Sequence, residues 1–222
     1  MKLQFQVNTK RNRKNQKSLI NPKKSASTVS FANEFLWAII GLLLTVFSTF
    51  VEAFITNLPW FWSEQGINYH SLGVTFQVGA VLLTGCMGGK NAGLLSQFAY
   101  VFLGLFWLPV FAHGGGFNYW QEPSFGYVLG FIPGAGLCGW MAFRTRTKIE
   151  SLGVSAIAGL LVIHICGLIY LVGMSYLNPN ILSHNSLLEM IKNYSVNPLP
   201  GQFVIVCMVA FMAFILRQVL FY

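Results

Sequence analysis

"FAHGGGFNYW", Phe111 to Trp120, places three successive glycines and then aromatic and amide side chains between two long apolar runs. Upstream, apolar residues extend from Ala92 to Ala112; downstream they resume at Phe125 and continue to Phe143. A helix crossing a hydrocarbon core of about 30 Å needs about 20 residues at ~1.5 Å each, and both runs approach that length. The glycine stretch therefore reads as a loop joining two membrane spans, and the rest of the chain can be counted outward from it.

Four further runs answer to the same description: Glu34 to Thr56, Leu72 to Gly88, Leu152 to Leu177 and Gly201 to Leu220. With 55% hydrophobic and only 9% charged residues among 222, the composition excludes a soluble domain and predicts an all-α membrane protein of six transmembrane helices. Basic residues test the count, because Lys and Arg concentrate in short cytoplasmic loops. With the N-terminus inside, the cytoplasmic segments carry Lys2, Lys10, Arg11, Arg13, Lys14, Lys17, Lys23, Lys24, Lys90, Arg144, Arg146, Lys148 and Arg217; of the 14 basic residues only Lys192 falls outside. Six spans with both termini cytoplasmic follow. The net charge of +8 is accounted for by topology, and no nucleic-acid partner is needed to explain it.

Residues 1–33 are polar, basic and poor in aromatics, the composition of a disordered cytoplasmic tail attracted to anionic membrane lipid. The apolar run after it is too long for the core of a cleaved signal. Residues 34–222 form the predicted transmembrane substrate-binding domain. Cys86, Cys138, Cys166 and Cys207 all fall within spans, where small packing residues are expected rather than disulfides or metal ligands.

The first span has small residues at four-residue intervals, Gly41, Thr45, Thr49 and Ala53, which a helix aligns on one face. Such a face serves either packing within the bundle or docking of a partner subunit. The loop His113 to Ser124, "HGGGFNYWQEPS", lacks Lys and Arg. Glycine backbone can approach a ligand closely, while Phe117, Tyr119, Trp120 and Tyr127 offer flat walls and Asn118 and Gln121 offer amide donors and acceptors. These are the parts of a small-molecule pocket. Within the spans, Glu52 reads as reaching for the outer interface, His164 as a hydrogen-bonded packing residue and Arg217 as a cytoplasmic-end anchor.

Catalysis lacks a candidate. "HGGG" occurs in lipase oxyanion loops, but the chain has no G-x-S-x-G elbow and no Asp. "GGKN" lacks the first glycine and the Ser or Thr of a P-loop, and no H-E-x-x-H or paired-cysteine spacing suggests zinc. The chain reads as a non-enzyme with no cofactor and no metal.

"GVTFQVGAVLLTG" (residues 73–85) followed by "GGKNAGLLSQFAYVFLGLFWLPVFAHGGGFNYWQEPSFGYVLGF" (residues 88–131) resembles the BioY family, the biotin-binding S components of energy-coupling factor (ECF) transporters. The matching positions are Thr75 and Gln77, Lys90 and Gly93, Tyr100 and Gly104, Pro109 to Phe111, Gly114 to Gly116, then Pro123, Gly126, Tyr127, Gly130 and Phe131. The resemblance implies a six-helix S component of the cell membrane that captures biotin, as a transported ligand, at its outer side. It also implies a transmembrane T component and two ATPases as partners, docked on the stripe of Gly41, Thr45, Thr49 and Ala53. In the implied site, Gln77, Asn118 and the backbone of Gly114, Gly115 and Gly116 meet the ureido group, and Tyr100, Phe111, Tyr119 and Tyr127 surround the thiophane ring. Where the family opens its last helix with P-G-D-x-x-K, whose Asp and Lys belong to the substrate site, this chain has "PGQFVI", with Gln202 and Ile205. That departure keeps a biotin relative, another small ligand, or a membrane structural role as alternatives.

Overall fold

The computed structural model describes residues 31–57, 59–177 and 184–220. Of the expected basic tail, residues 1–30 lie outside the described residues. Four helices are long and apolar enough to cross a membrane: α1 (Phe31–Thr49), α4 (Phe125–Arg144), α5 (Ile149–Leu177) and α7 (Leu199–Leu220), the last taken together with the helical turns that lead into it. A multi-pass helical membrane protein results, as the hydropathy pattern requires.

The first span ends earlier than expected. After Thr49 the chain enters a hairpin of β1 (Glu52–Thr56) and β2 (Tyr69–Thr75), joined through a short helix α2 (Trp62–Gln65). The strands are antiparallel, with Phe54 opposite Ser71 and Thr56 opposite Tyr69. Residues 52–56 and 72–75, expected to be helical, are therefore strand. Both segments are rich in aromatic and β-branched residues, and hydropathy alone does not distinguish a short apolar strand from the end of a helix. Glu52, expected at the outer interface, accepts a hydrogen bond from the Ser71 hydroxyl across this hairpin.

α3 (Gln77–Phe106) contains the next expected break, at Gly89, whose φ of 81° and ψ of −172° lie outside helical values. The break is a reversal of direction. Gln77 Nε2 donates to the Tyr100 hydroxyl at 2.9 Å although 23 residues separate them, a distance of about 35 Å along a continuous helix. Gly89 therefore joins two antiparallel helical segments, and its positive φ is readily adopted only by glycine. The turn packs against α4 at Gly139, where an added Cβ would lie 2.7 Å from Lys90 N.

Arg217 closes this end of the bundle from within. It is 6% exposed, so the expected cytoplasmic-end anchor is a buried clamp. Nε donates to Cys86 O at 2.9 Å and Nη1 to Ala142 O at 3.0 Å, with the guanidinium carbon 4.1 Å from the Phe143 ring centre. Both carbonyls belong to terminal helical turns, whose oxygens lack intrahelical partners. Glu34 near the start of α1 accepts from Asn91 Nδ2 at 3.1 Å. The start of α1, the α3 turn and the ends of α4 and α7 thus gather at one end, together with Lys90, Arg144 and Arg217.

The small-residue stripe packs inward. Thr45 and Gly41 are buried; Thr45 Oγ1 accepts from Gln97 Nε2 at 3.0 Å, and Thr49 Oγ1 lies 3.3 Å from the Tyr100 hydroxyl. An added Cβ on Gly41 would lie 2.6 Å from Thr84 Oγ1. Ala53, also buried, is on β1 and outside any helical stripe. Gly41, Thr45, Thr49 and Ala53, expected to dock a partner, are thus packed inside this chain. The periodicity was real, but close approach between helices also occurs within one chain. All four cysteines are free thiols, and Cys86 Sγ lies 3.4 Å from Cys138 Sγ.

Candidate functional site

At the end opposite Arg217, seven pieces of chain converge on a cavity of about 200 Å³. β2 contributes Gly73, Val74 and Thr75, and the start of α3 contributes Gln77 and Val78. The start of α4 supplies Ser124, Tyr127, Val128 and Phe131, with Ile163 of α5 behind them. Tyr194 comes from a π-helical turn (Lys192–Val196) between α6 (His184–Ile191) and α7, and Gln202 from the first turn of α7. Ala112 and Tyr119 represent the glycine loop.

The expected site residues divide into two groups. Gln77, Tyr119, Tyr127 and Gln202 meet at the cavity. Tyr100 and Phe111 stand behind its wall. Tyr100 is 0% exposed and donates its hydroxyl to Val110 O at 3.0 Å. Phe111 packs its ring 5.3 Å from that of Tyr100 and 4.5 Å from that of Tyr119. Such edge and tilted aromatic pairs hold Tyr119 in place without offering either ring to a ligand.

Gly114, Gly115, Gly116 and Asn118 do not line the cavity. The glycines fold the loop back onto the end of α3: Phe111 and Gly114 exchange backbone hydrogen bonds of 2.8 and 3.0 Å, and Gly116 N donates to Gly104 O at 2.8 Å. At Gly115 an added Cβ would lie 2.7 Å from Gly104 O and from Pro109 Cα, so the run is selected by close backbone packing. Asn118 is exposed. The glycine run and Asn118, expected to meet a ligand directly, thus lie outside the cavity lining, and of this loop Ala112 and Tyr119 reach it. Burial raises the Tyr119 phenol above the ordinary tyrosine range, partly offset by its hydrogen bond with Ser124.

Tyr127, Ser195, His164 and Gln202 form a continuous chain of hydrogen bonds. The Tyr127 hydroxyl is 2.6 Å from Ser195 Oγ, Ser195 Oγ is 3.2 Å from His164 Nδ1, and His164 Nε2 is 2.6 Å from Gln202 Oε1. His164 is indeed hydrogen-bonded, but it also ties two cavity residues together. The Tyr127 and Tyr194 rings stack with centres 6.1 Å apart. Ser195 and Tyr194 were not singled out from the sequence, because nothing local marks a π-helical turn as part of a site. Ile205, at the family's Lys position, is 1% exposed and faces Gly79, away from the cavity. Among the described residues no group of three metal-ligating side chains occurs.

The fold and the cavity define a class: a multi-span helical membrane protein with a ligand-sized pocket near one end. The BioY family matches residues 22–221, and the chain belongs to that family. An uncharacterised 21.2 kDa protein of Cyanophora paradoxa is 30% identical over 191 residues, covering 83% of this chain and 95% of the relative. The biotin transporter BioY of Thermotoga maritima is 39% identical over 105 residues, covering 47% of this chain and 58% of that one. The probable biotin transporter BioY of Lysinibacillus sphaericus is 39% identical over 98 residues, 44% of this chain and 50% of its own. The alignments with these two named transporters thus span about half their length. A solved S component for biotin from an ECF-type ABC transporter superposes with a TM-score of 0.61 at 18% identity, covering 86% of this chain and 94% of the other, which shows the shared fold.

Proposed function

We propose that this chain is the substrate-binding S component of an ECF-type importer, that it captures biotin from the outer face, and that it is not an enzyme. The observation that carries the reading is the cavity itself. It lies within the stretch matched to the family and is walled by aromatic rings and by uncharged hydroxyl and amide groups, which suit a compact bicycle with an N–H and C=O pair. It also lies opposite the end that gathers Lys90, Arg144 and Arg217, as an extracellular site would under the positive-inside rule.

In this reading the protein spans the membrane six times, counting the two antiparallel halves of α3 separately, with both termini cytoplasmic. In this reading energy comes from a T component and ATPases, as in the family, and the sequence carries no P-loop motif. The first half of α3 has 12 residues before Gly89, about 18 Å of helix, so it needs the β-hairpin above it to cover the membrane's full thickness.

The test is equilibrium binding of radiolabelled biotin to the detergent-purified chain. Saturable binding displaced by unlabelled biotin is expected; none at millimolar biotin would overturn the assignment. A second reading, a different ligand on the same scaffold, is favoured by Gln202 and Ile205 at the family's Asp and Lys positions. The same assay with biotin precursors as competitors distinguishes it. Maleimide labelling of Asn118→Cys from outside and Thr147→Cys from inside checks the orientation.

A further inference from the structure

The polar side chains bordering the cavity, Thr75, Gln77, Tyr119, Ser124, Tyr127 and Gln202 foremost, are uncharged, and no Lys, Arg, Glu or His is among the described lining residues. Recognition must therefore work by matching donors to acceptors, and the four-residue chain decides which is which. The carbonyl oxygen of an amide only accepts, so with Gln202 Oε1 at 2.6 Å, His164 carries its proton on Nε2. In the neutral imidazole with its proton on Nε2, His164 Nδ1 is a lone pair and takes the Ser195 hydroxyl hydrogen at 3.2 Å. The Ser195 oxygen in turn takes the hydrogen of the Tyr127 hydroxyl at 2.6 Å. Every hydrogen in the chain is committed. What remains toward the cavity is the amide N–H of Gln202 as a donor and the lone pairs of Tyr127 as an acceptor.

We infer that His164, with Ser195, sets the polarity of this wall, so that the site reads an uncharged C=O and N–H pair on its ligand and does not read the ligand's carboxylate. The inference rests on the biotin assignment above. The substrate class is then a neutral cyclic urea with a dispensable acid group. His164 is a positioning residue: its ring is held edge-on to Tyr127 at 5.7 Å between centres and acts through Gln202 and Ser195.

Competition binding with three compounds tests it. Biotinamide, lacking the charge, should bind within about fivefold of biotin, whereas iminobiotin, which replaces the accepting carbonyl by a protonated donor, should bind about thirtyfold or more weaker, since a site built around a hydrogen bond rejects an analogue that leaves its donor unpaired. Biotinamide more than fivefold weaker, or iminobiotin as tight as biotin, would overturn the inference. In His164→Ala the Gln202 amide is free to turn over, so the biotin-to-iminobiotin ratio should fall at least about threefold. Ser195→Ala cuts the chain at its other bond and should shift the ratio in the same direction. Unchanged ratios in whichever variants fold would remove His164 and Ser195 from the account. Failure of biotin itself to bind would overturn the assignment and this inference with it, an outcome distinct from all the others.

Discussion

Arg217 gives its guanidinium to the carbonyls of Cys86 and Ala142, while at the other end of the bundle Gln77, Tyr127 and Gln202 border open space. Both ends bury polar groups in a membrane protein, where an unpaired polar atom is costly. One end satisfies the Arg217 guanidinium with the chain's own backbone carbonyls. The other links Tyr127 and Gln202 through Ser195 and His164, which leaves the Gln202 amide N–H and the Tyr127 lone pairs unassigned. Under the proposed function, the contrast separates a residue that holds the fold from residues that border the binding cavity.

Breaking the closed end should have the largest effect. Arg217→Met leaves two buried carbonyls without donors at about 1–3 kcal/mol each, so a loss of about 2–6 kcal/mol is expected in unfolding titrations in mixed micelles. An unchanged midpoint would show that the clamp does not hold the helices. Thr45→Trp comes next, because Thr45 is 0% exposed and overpacking costs about 1–3 kcal/mol or more. A lowered Tm is expected; a normal Tm with loss only of co-purifying partners would restore the docking role of the stripe. At the open end, Tyr127→Phe removes the hydroxyl that meets Ser195 and should weaken biotin binding about five- to tenfold, roughly 1–1.5 kcal/mol, at an unchanged Tm. Unaltered affinity would take Tyr127 out of the site. The smallest effect belongs to Asn118→Ala, whose exposed side chain should change affinity less than about twofold. A larger loss would return the glycine loop to the ligand.

The long spans were legible because hydropathy over about 20 residues is a strong signal, and the break near Gly89 was legible from "GGKN". The β-hairpin was not, since the strand segments merge into neighbouring apolar runs and only their pairing distinguishes them. In the site, the family motif led to Gln77 and Tyr127, the aromatic composition of the loop to Tyr119 and the departure from P-G-D-x-x-K to Gln202, and all four line the cavity. The same motif could not say that Tyr100, Phe111 and Gly114 to Gly116 act from behind the wall, because matching positions carry no direction. His164 looked solitary for a related reason: its partners Ser195 and Gln202 lie 31 and 38 residues further along, on elements whose approach depends on the whole bundle.

Hydrogen exchange followed by mass spectrometry, with and without biotin, tests the central claim that the open end is the binding site. The account predicts ligand-induced protection concentrated in residues 73–78, 119–131 and 194–202, with the region around Arg217 unchanged. Protection confined to the Lys90, Arg144 and Arg217 end, or none at saturating biotin, would contradict it.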